Sequence, residues 1–282
     1  MQGAESFGHA AKALRDMDRD RYLATLMLDS AHRDPVTALY AFNAEVALTR
    51  ERVSEPTPGE IRLQWWADAL EGKGHGAVRQ NPLADALLQT MERYQLPAGT
   101  LLRLLGARRF DLYDDPMPDL ESFEGYAGET VSTLYQLAAM ILNDGETIET
   151  GDAAGHLGVA HAMIGHLRAF GLLASHGRIM LPWTIFAANG VQEREIFSGV
   201  ASEGVVEALG QIAELAQEHL DKAQTAIVIL PGRLKPAFAA IALLQAQLNS
   251  LVAKSSGPYA PAPDDAEWRK ITRLMWWSWR NR

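Results

Sequence analysis

The sequence predicts an all-α protein folded as a single domain over residues 1–282, and three observations carry that expectation. Apolar residues recur at three- and four-residue steps through nearly every segment. Alternation with a period of two, the mark of a half-buried strand, is almost absent. The breaks between periodic stretches are short and rich in Pro, Gly, Asn and Asp, which leaves no interdomain linker. Of the 282 residues 48% are hydrophobic, ample for a sizeable core, and 22% are charged, as in ordinary soluble domains.

Each element has a local reason. Residues 18–31 are amphipathic. Asp34 and Pro35 read as the N-cap and first-turn proline of the helix around which the chain is organised. That helix carries Leu39, Phe42, Val46 and Val53 on one face and a dense polar set, Asn43, Glu45, Thr49, Arg50, Glu51 and Arg52, beside them. Pro56, Pro58 and Gly59 are expected to break it, with a second helix starting at Glu60 and bearing Arg62, Gln64, Trp65 and Trp66. Gly72 to Gly76 reads as a loop, and Asn81-Pro82 caps a helix reaching about Tyr94. Pro97 opens another that ends near Asp114 in a proline-containing turn. Residues 119–142 read as one long helix, closed by Asn143-Asp144-Gly145. The next, 152–174, is rich in Gly and Ala and so permits close helix approach; after His176-Gly177, Ile179 to Pro182 reads as a short extended piece. Residues 203–229, 235–254 and 264–280 form the last three helices.

Composition excludes several functions. With 26 basic and 35 acidic residues the formal charge is −9, which argues against nucleic-acid binding. The absence of cysteine removes disulfides, thiolate zinc sites and cysteine nucleophiles, and fits a reducing compartment. No basic-then-apolar leader is visible at the N-terminus. No uninterrupted apolar run nears the roughly 20 residues of a membrane span; the longest lies near residues 223–231. The expected location is therefore cytoplasmic, with peripheral attachment at the inner membrane left open. Nor is there a Gly-rich phosphate loop, a Gly-x-Ser-x-Gly elbow or a His-Glu-x-x-His segment.

Several stretches then fall into one order. Tyr40-Ala41-Phe42 precedes the polar helix; Tyr126-Ala127-Gly128-Glu129-Thr130-Val131 lies in the long helix; Leu167-Arg168 precedes Arg178-Ile179-Met180-Leu181-Pro182. Together these resemble the squalene/phytoene synthase family over nearly the whole chain. The resemblance implies the isoprenoid-synthase fold, a helical bundle around a deep apolar pocket, and an ancestral reaction that condenses two prenyl diphosphates head to head. That chemistry needs Mg²⁺ to neutralise the diphosphate leaving group, held by two facing Asp-x-x-x-Asp motifs. Spacing of four puts both carboxylates on one helix face, and Mg²⁺ demands oxygen ligands in octahedral array.

By register with the family, the first motif falls at Ala47 and Glu51 and the second at Ala169 and Leu173, with Leu172 between. Three of the four acids are thus apolar, and Arg168 alone survives from the second motif. The resemblance narrows further. Asn43-Ala44-Glu45, Val53-Ser54-Glu55-Pro56, Gln64-Trp65-Trp66 and Ser278-Trp279-Arg280 are similar to the complex I assembly factors of the phytoene-synthase-like type, a branch that keeps the fold and has lost the Asp-rich motifs. The implied function is non-catalytic help in assembling a respiratory membrane complex. It carries no catalytic residue and no metal or cofactor, and its partners are a membrane protein complex or its intermediates and a prenyl lipid in the pocket. The alternative is a prenyltransferase making squalene or phytoene, with Mg²⁺ held in a rearranged site of Glu45, Glu51 and Asp111.

Other residues admit more than one reading. Glu45, Arg50, Glu51 and Arg52 suit a solvated face, an internal ion-pair network or a residual anion or metal site. Asp111 suits either a pocket role, where related synthases carry an acid, or the cap of a turn. Arg168 either holds a phosphate bidentately or pairs with Glu45 or Glu51, the pairing being favoured. Asp16 and Asp20 read as a solvated face. His156, His161 and His166 step by five and so spread around their helix rather than sharing a face. The tryptophans and cations of residues 268–280 suit a bilayer interface, a partner groove or packing onto the bundle.

Overall fold

The computed structural model describes residues 2–74, 76–253 and 256–281, and among them there is no strand. The helices are α1 (Gln2–Met17), α2 (Arg19–Thr25), α3 (Ser30–Ala47), α4 (Pro56–Leu70), α5 (Pro82–Tyr94), α6 (Ala98–Arg108), α7 (Leu120–Ala127), α8 (Thr133–Leu142), α9 (Gly151–Ser175), α10 (Trp183–Ala188), α11 (Glu193–Phe197), α12 (Glu203–Ile229), α13 (Ile241–Val252) and α14 (Glu267–Arg280). Helices α1, α3 and α5 pack together at one end of the chain's path. Through α8, α3 meets the second half, where α9 lies along α12 and α13. The core joins both halves, and Phe42, Phe123, Phe186 and Phe238 have no exposed surface. Each such side chain contributes about 1.5–3 kcal/mol by leaving water.

The strong local signals hold. Asn81 accepts from the N–H groups of Leu83 and Ala84 and caps α5, with Pro82 in its first turn. Asp144 and Gly145 take positive φ at the end of α8. Other boundaries move. α3 opens four residues before Asp34, because the carboxylate of Asp29 accepts from Ala31 and His32 N–H at 2.9 and 3.1 Å. Pro35 therefore sits inside the helix, buried, at the loss of one backbone bond. α3 also stops at Ala47, and Arg50–Arg52 form a separate 3₁₀ turn. Pro56 does not merely break a helix: it stands in the first turn of α4, where a missing N–H costs nothing. Lys235 does not start α13, since a 3₁₀ run containing Pro236 covers Gly232–Phe238. Lys254, the expected end of that helix, lies outside the described residues, as does His75 in the expected loop. Helices α10 and α11 are not among the expected elements, although Gln192 and Glu195 form a capping box at the start of α11.

The long helix at 119–142 is continuous but holds a π turn at Gly128–Ser132 between α7 and α8. Extra residues of this kind often mark functional sites. α9 crosses against it, and only glycine fits at 158: a Cβ there would lie 2.4 Å from the Ser132 nitrogen and 2.5 Å from its Cα. By length and composition α9 could cross a membrane, although glycines and histidines punctuate it and leave no uninterrupted apolar run. Its apolar window is 56% buried among other helices, as a core helix would be.

Candidate functional site

The centre of the site is Asp111, in the 3₁₀ turn that follows α6. Its Oδ1 accepts from the Tyr126 hydroxyl at 2.7 Å, and its Oδ2 accepts from Arg108 Nη1 at 3.0 Å. The same Nη1 donates to the Tyr126 oxygen at 2.8 Å, and Arg108 Nη2 reaches Asn43 Oδ1 at 3.4 Å. Arg178, beyond the end of α9, donates to the Asp111 backbone carbonyl at 3.0 Å. Four segments distant in sequence thus meet around Asp111, whose carboxylate is held by Arg108 and Tyr126. The spacing of Arg108 and Asp111, three residues on one helical turn, was the available sequence signal for this pair.

Burial pushes the Tyr126 phenol up, so it stays a donor to Asp111. Burial alone would lower the Arg108 guanidinium, yet Tyr126 and Asp111 beside it hold it above its ordinary value. Arg50, Arg108 and Arg178 each keep a buried Nε with no hydrogen-bond partner in the structure. The Asp111 carboxylate is engaged on both oxygens, by Tyr126 and Arg108.

At the family-register positions, Ala47, Ala169 and Leu173 carry no oxygen on their side chains. Glu45 is paired with Arg52, and with Arg62 at 3.9 Å. Glu51 is exposed on the turn after α3. Arg50 reaches Asp114 Oδ1 and the Val53 carbonyl, both at 3.3 Å. The alternative site of Glu45, Glu51 and Asp111 is not assembled, since no three His, Asp or Glu side chains converge on a metal position among the described residues. This donor set does not fit a Mg²⁺ centre.

Arg168 corrects the favoured reading. It pairs with neither Glu45 nor Glu51; it reaches Asp264 Oδ1 at 3.4 Å and donates to the Pro263 carbonyl at 3.2 Å. Asp264 is shared with Lys270, whose ammonium also binds Asp20 at 2.7 Å. Asp20 is therefore part of a tertiary bridge and not of a solvated face, while Asp16 is exposed. Beside this bridge a cavity of about 140 Å³ is lined by Asp18, Arg21, His161, Arg168 and Leu244, among others. A larger groove, about 820 Å³, runs between α9, α12 and α13, with Leu167, Leu209, Ala213, Leu248 and Leu251 on its walls. Ala47, Ala169 and Leu173 line neither.

The three histidines of α9 enter three separate environments. His156 meets His219 at 3.1 Å, and His161 Nδ1 meets the Tyr135 hydroxyl at 2.8 Å. His166 stands edge-on to Phe123, with ring centroids 5.9 Å apart. Burial pushes His166 down to about 4 from 6.5, and drives His161 well down too. The unfolded chain takes up these protons near pH 6.5, the folded site only near 4. Stability held above pH 6.5 is therefore lost as pH falls toward 4, by at most about 1.4 kcal/mol per pH unit for each site. Urea midpoints across that window should fall, and less so in His166→Gln; a flat profile in the wild type would contradict the assignment.

An all-α bundle of this order, with no strand among the described residues, has the isoprenoid-synthase fold. The family model for squalene/phytoene synthase matches residues 14–272, and the chain belongs to that family. It is similar to human NADH dehydrogenase (ubiquinone) complex I, assembly factor 6, at 30% identity over 230 residues, covering 82% of this chain and 69% of that protein. Chloroplastic phytoene synthase 1 of Arabidopsis thaliana is 22% identical over 96% of this chain and 65% of its own length. Among solved structures, a dehydrosqualene synthase superposes with a TM-score of 0.81 at 19% identity, over 97% of this chain and 95% of that one. That likeness concerns the fold.

Proposed function

We propose that this chain assists the assembly of a respiratory membrane complex and does not turn over prenyl diphosphates. Two facts together carry the reading: similarity to complex I assembly factor 6 over most of the chain, and side chains that lack oxygen at three of the four metal-ligand positions. Without a metal clamp, diphosphate departure would lose its main electrostatic support. Asp111, the buried acid nearby, is already engaged by Arg108 and Tyr126. In this reading the protein needs no metal or other cofactor and works from the cytoplasmic side as a peripheral protein of the inner membrane. Its partners are the membrane complex or its intermediates. The groove between α9, α12 and α13 is of a size that suits an apolar chain such as a prenyl lipid.

Two measurements test this. Cells lacking the protein should show less assembled NADH dehydrogenase in their membranes, restored by the wild-type chain and equally by Glu51→Gln. Purified folded protein incubated with farnesyl or geranylgeranyl diphosphate and Mg²⁺ should release no inorganic diphosphate above a protein-free control. Mg²⁺-dependent turnover lost in Glu51→Gln would instead favour the prenyltransferase with a rearranged site.

A further inference from the structure

The helix α14 shows the solvent its aromatic face. Trp268, Met275, Trp276 and Trp279 are 64%, 59%, 56% and 71% exposed. At 100° per residue these four, with exposed Thr272, fall within a sector of about 100°. The opposite face is buried through Lys270, Leu274 and Trp277. Three tryptophans on one convex helix face are not accounted for by the fold, and an exposed apolar patch of this kind marks a contact site.

One flank of the stripe is cationic. Arg269, Arg273 and Arg280 follow each other beside Trp276; Arg280 stacks over the Trp276 ring at 4.7 Å, and Arg269 over Trp268 at 5.3 Å. Asp265 is shared by Arg269 and Arg273, so three arginines against one acid leave two positive charges on this edge. The chain as a whole carries −9. An anionic surface would therefore attract this edge and repel the remainder, which fixes an orientation.

We propose that α14 lies in the plane of a bilayer surface, its tryptophans at headgroup depth and its arginines on anionic phosphates. The composition selects a bilayer over a protein groove. The stripe holds Trp and Met but no exposed Leu, Ile, Val or Phe knob of the sort a groove receives, and tryptophan is the side chain that settles at the lipid–water boundary. Arginine stems lie along the apolar layer while their heads stay in the phosphate zone. The helix presents its whole length rather than one tip, the posture of an interfacial helix. This inference deepens the proposed role at a membrane complex, but its test needs neither that complex nor its assembly.

The experiment floats the full chain with vesicles of phosphatidylcholine alone or mixed with phosphatidylglycerol. The wild type should float with the anionic vesicles, less at high salt, and its tryptophan emission should shift to the blue. Trp268→Ser/Trp279→Ser should weaken partitioning about tenfold or more while its melting stays unchanged, since both side chains are exposed. Arg269→Glu/Arg280→Glu should abolish the preference for phosphatidylglycerol and retain the melting temperature. A wild type that stays with the soluble fraction overturns the proposal, as does a double tryptophan variant that floats as well as the wild type. Capture by a purified membrane protein without any flotation would assign the stripe to a protein partner instead. Loss of flotation with intact complex assembly would refute only the lipid surface; the reverse would refute only the assembly role.

Discussion

Asp111→Ala is expected to lower unfolding stability by about 3–5 kcal/mol, the range for stripping one partner from a buried charge pair. The Arg108 and Asp111 side chains are 12% and 10% exposed, and the alanine variant would leave the guanidinium charged with only neutral oxygens around it. Tyr126 would also lose its acceptor. Asp111→Asn keeps an acceptor for Tyr126 and should lose less. Replacing both charges together, Arg108→Met with Asp111→Leu, should recover much of the loss, because an apolar pair avoids the desolvation that the ion pair suffers. Urea unfolding of the four proteins at pH 7 reads this directly. An Asp111→Ala variant as stable as the wild type would show that the carboxylate is free, as a metal ligand would need to be. The same series would then have to be repeated with Mg²⁺ and prenyl diphosphate.

Gly158→Val is expected to cost about 3 kcal/mol, the upper end for overpacking a tight contact. The first side-chain carbon would meet the Ser132 Oγ at 2.1 Å and the Ser132 backbone at 2.4–2.5 Å. The backbone there is the π turn, which cannot rotate aside as a side chain does. α9 would have to move off α8 and with it the packing around Tyr126. Gly155 and Gly165 lie on the same helix, and a Cβ added to either would meet nothing within 4 Å. Gly155→Ala and Gly165→Ala should therefore stabilise by about 0.5–1 kcal/mol through the unfolded chain. Thermal melts of the three variants separate close approach from helix propensity; equal effects at all three positions would refute the contact.

What the sequence made legible was whatever physics is local. Asn81-Pro82, Asp144-Gly145 and the 203–229 helix announced themselves, because a cap or a 3.6-residue period involves only neighbours in the chain. The lack of side-chain oxygen at Ala47, Ala169 and Leu173 was equally local, being a matter of which atoms those side chains possess. The start of α3 was misplaced because Asp29 and Asp34 both offer a capping carboxylate, and only the folded backbone shows Asp29 bonded to Ala31 and His32.

Tertiary structure alone decided who pairs with whom. Arg168 finds Asp264, 96 residues away, and not the acids of the organising helix. Asp111 gathers Tyr126 and Arg178 from two distant segments. The last helix makes the reason plain. Its periodicity defines two faces, and the richer in tryptophan would be chosen for burial on hydrophobicity alone. The fold buries the other, through Leu274, Trp277 and Lys270, whose ammonium Asp20 and Asp264 neutralise there. One of those acids stands 250 residues earlier in the chain, and only folding brings Asp20 to 2.7 Å from the Lys270 ammonium.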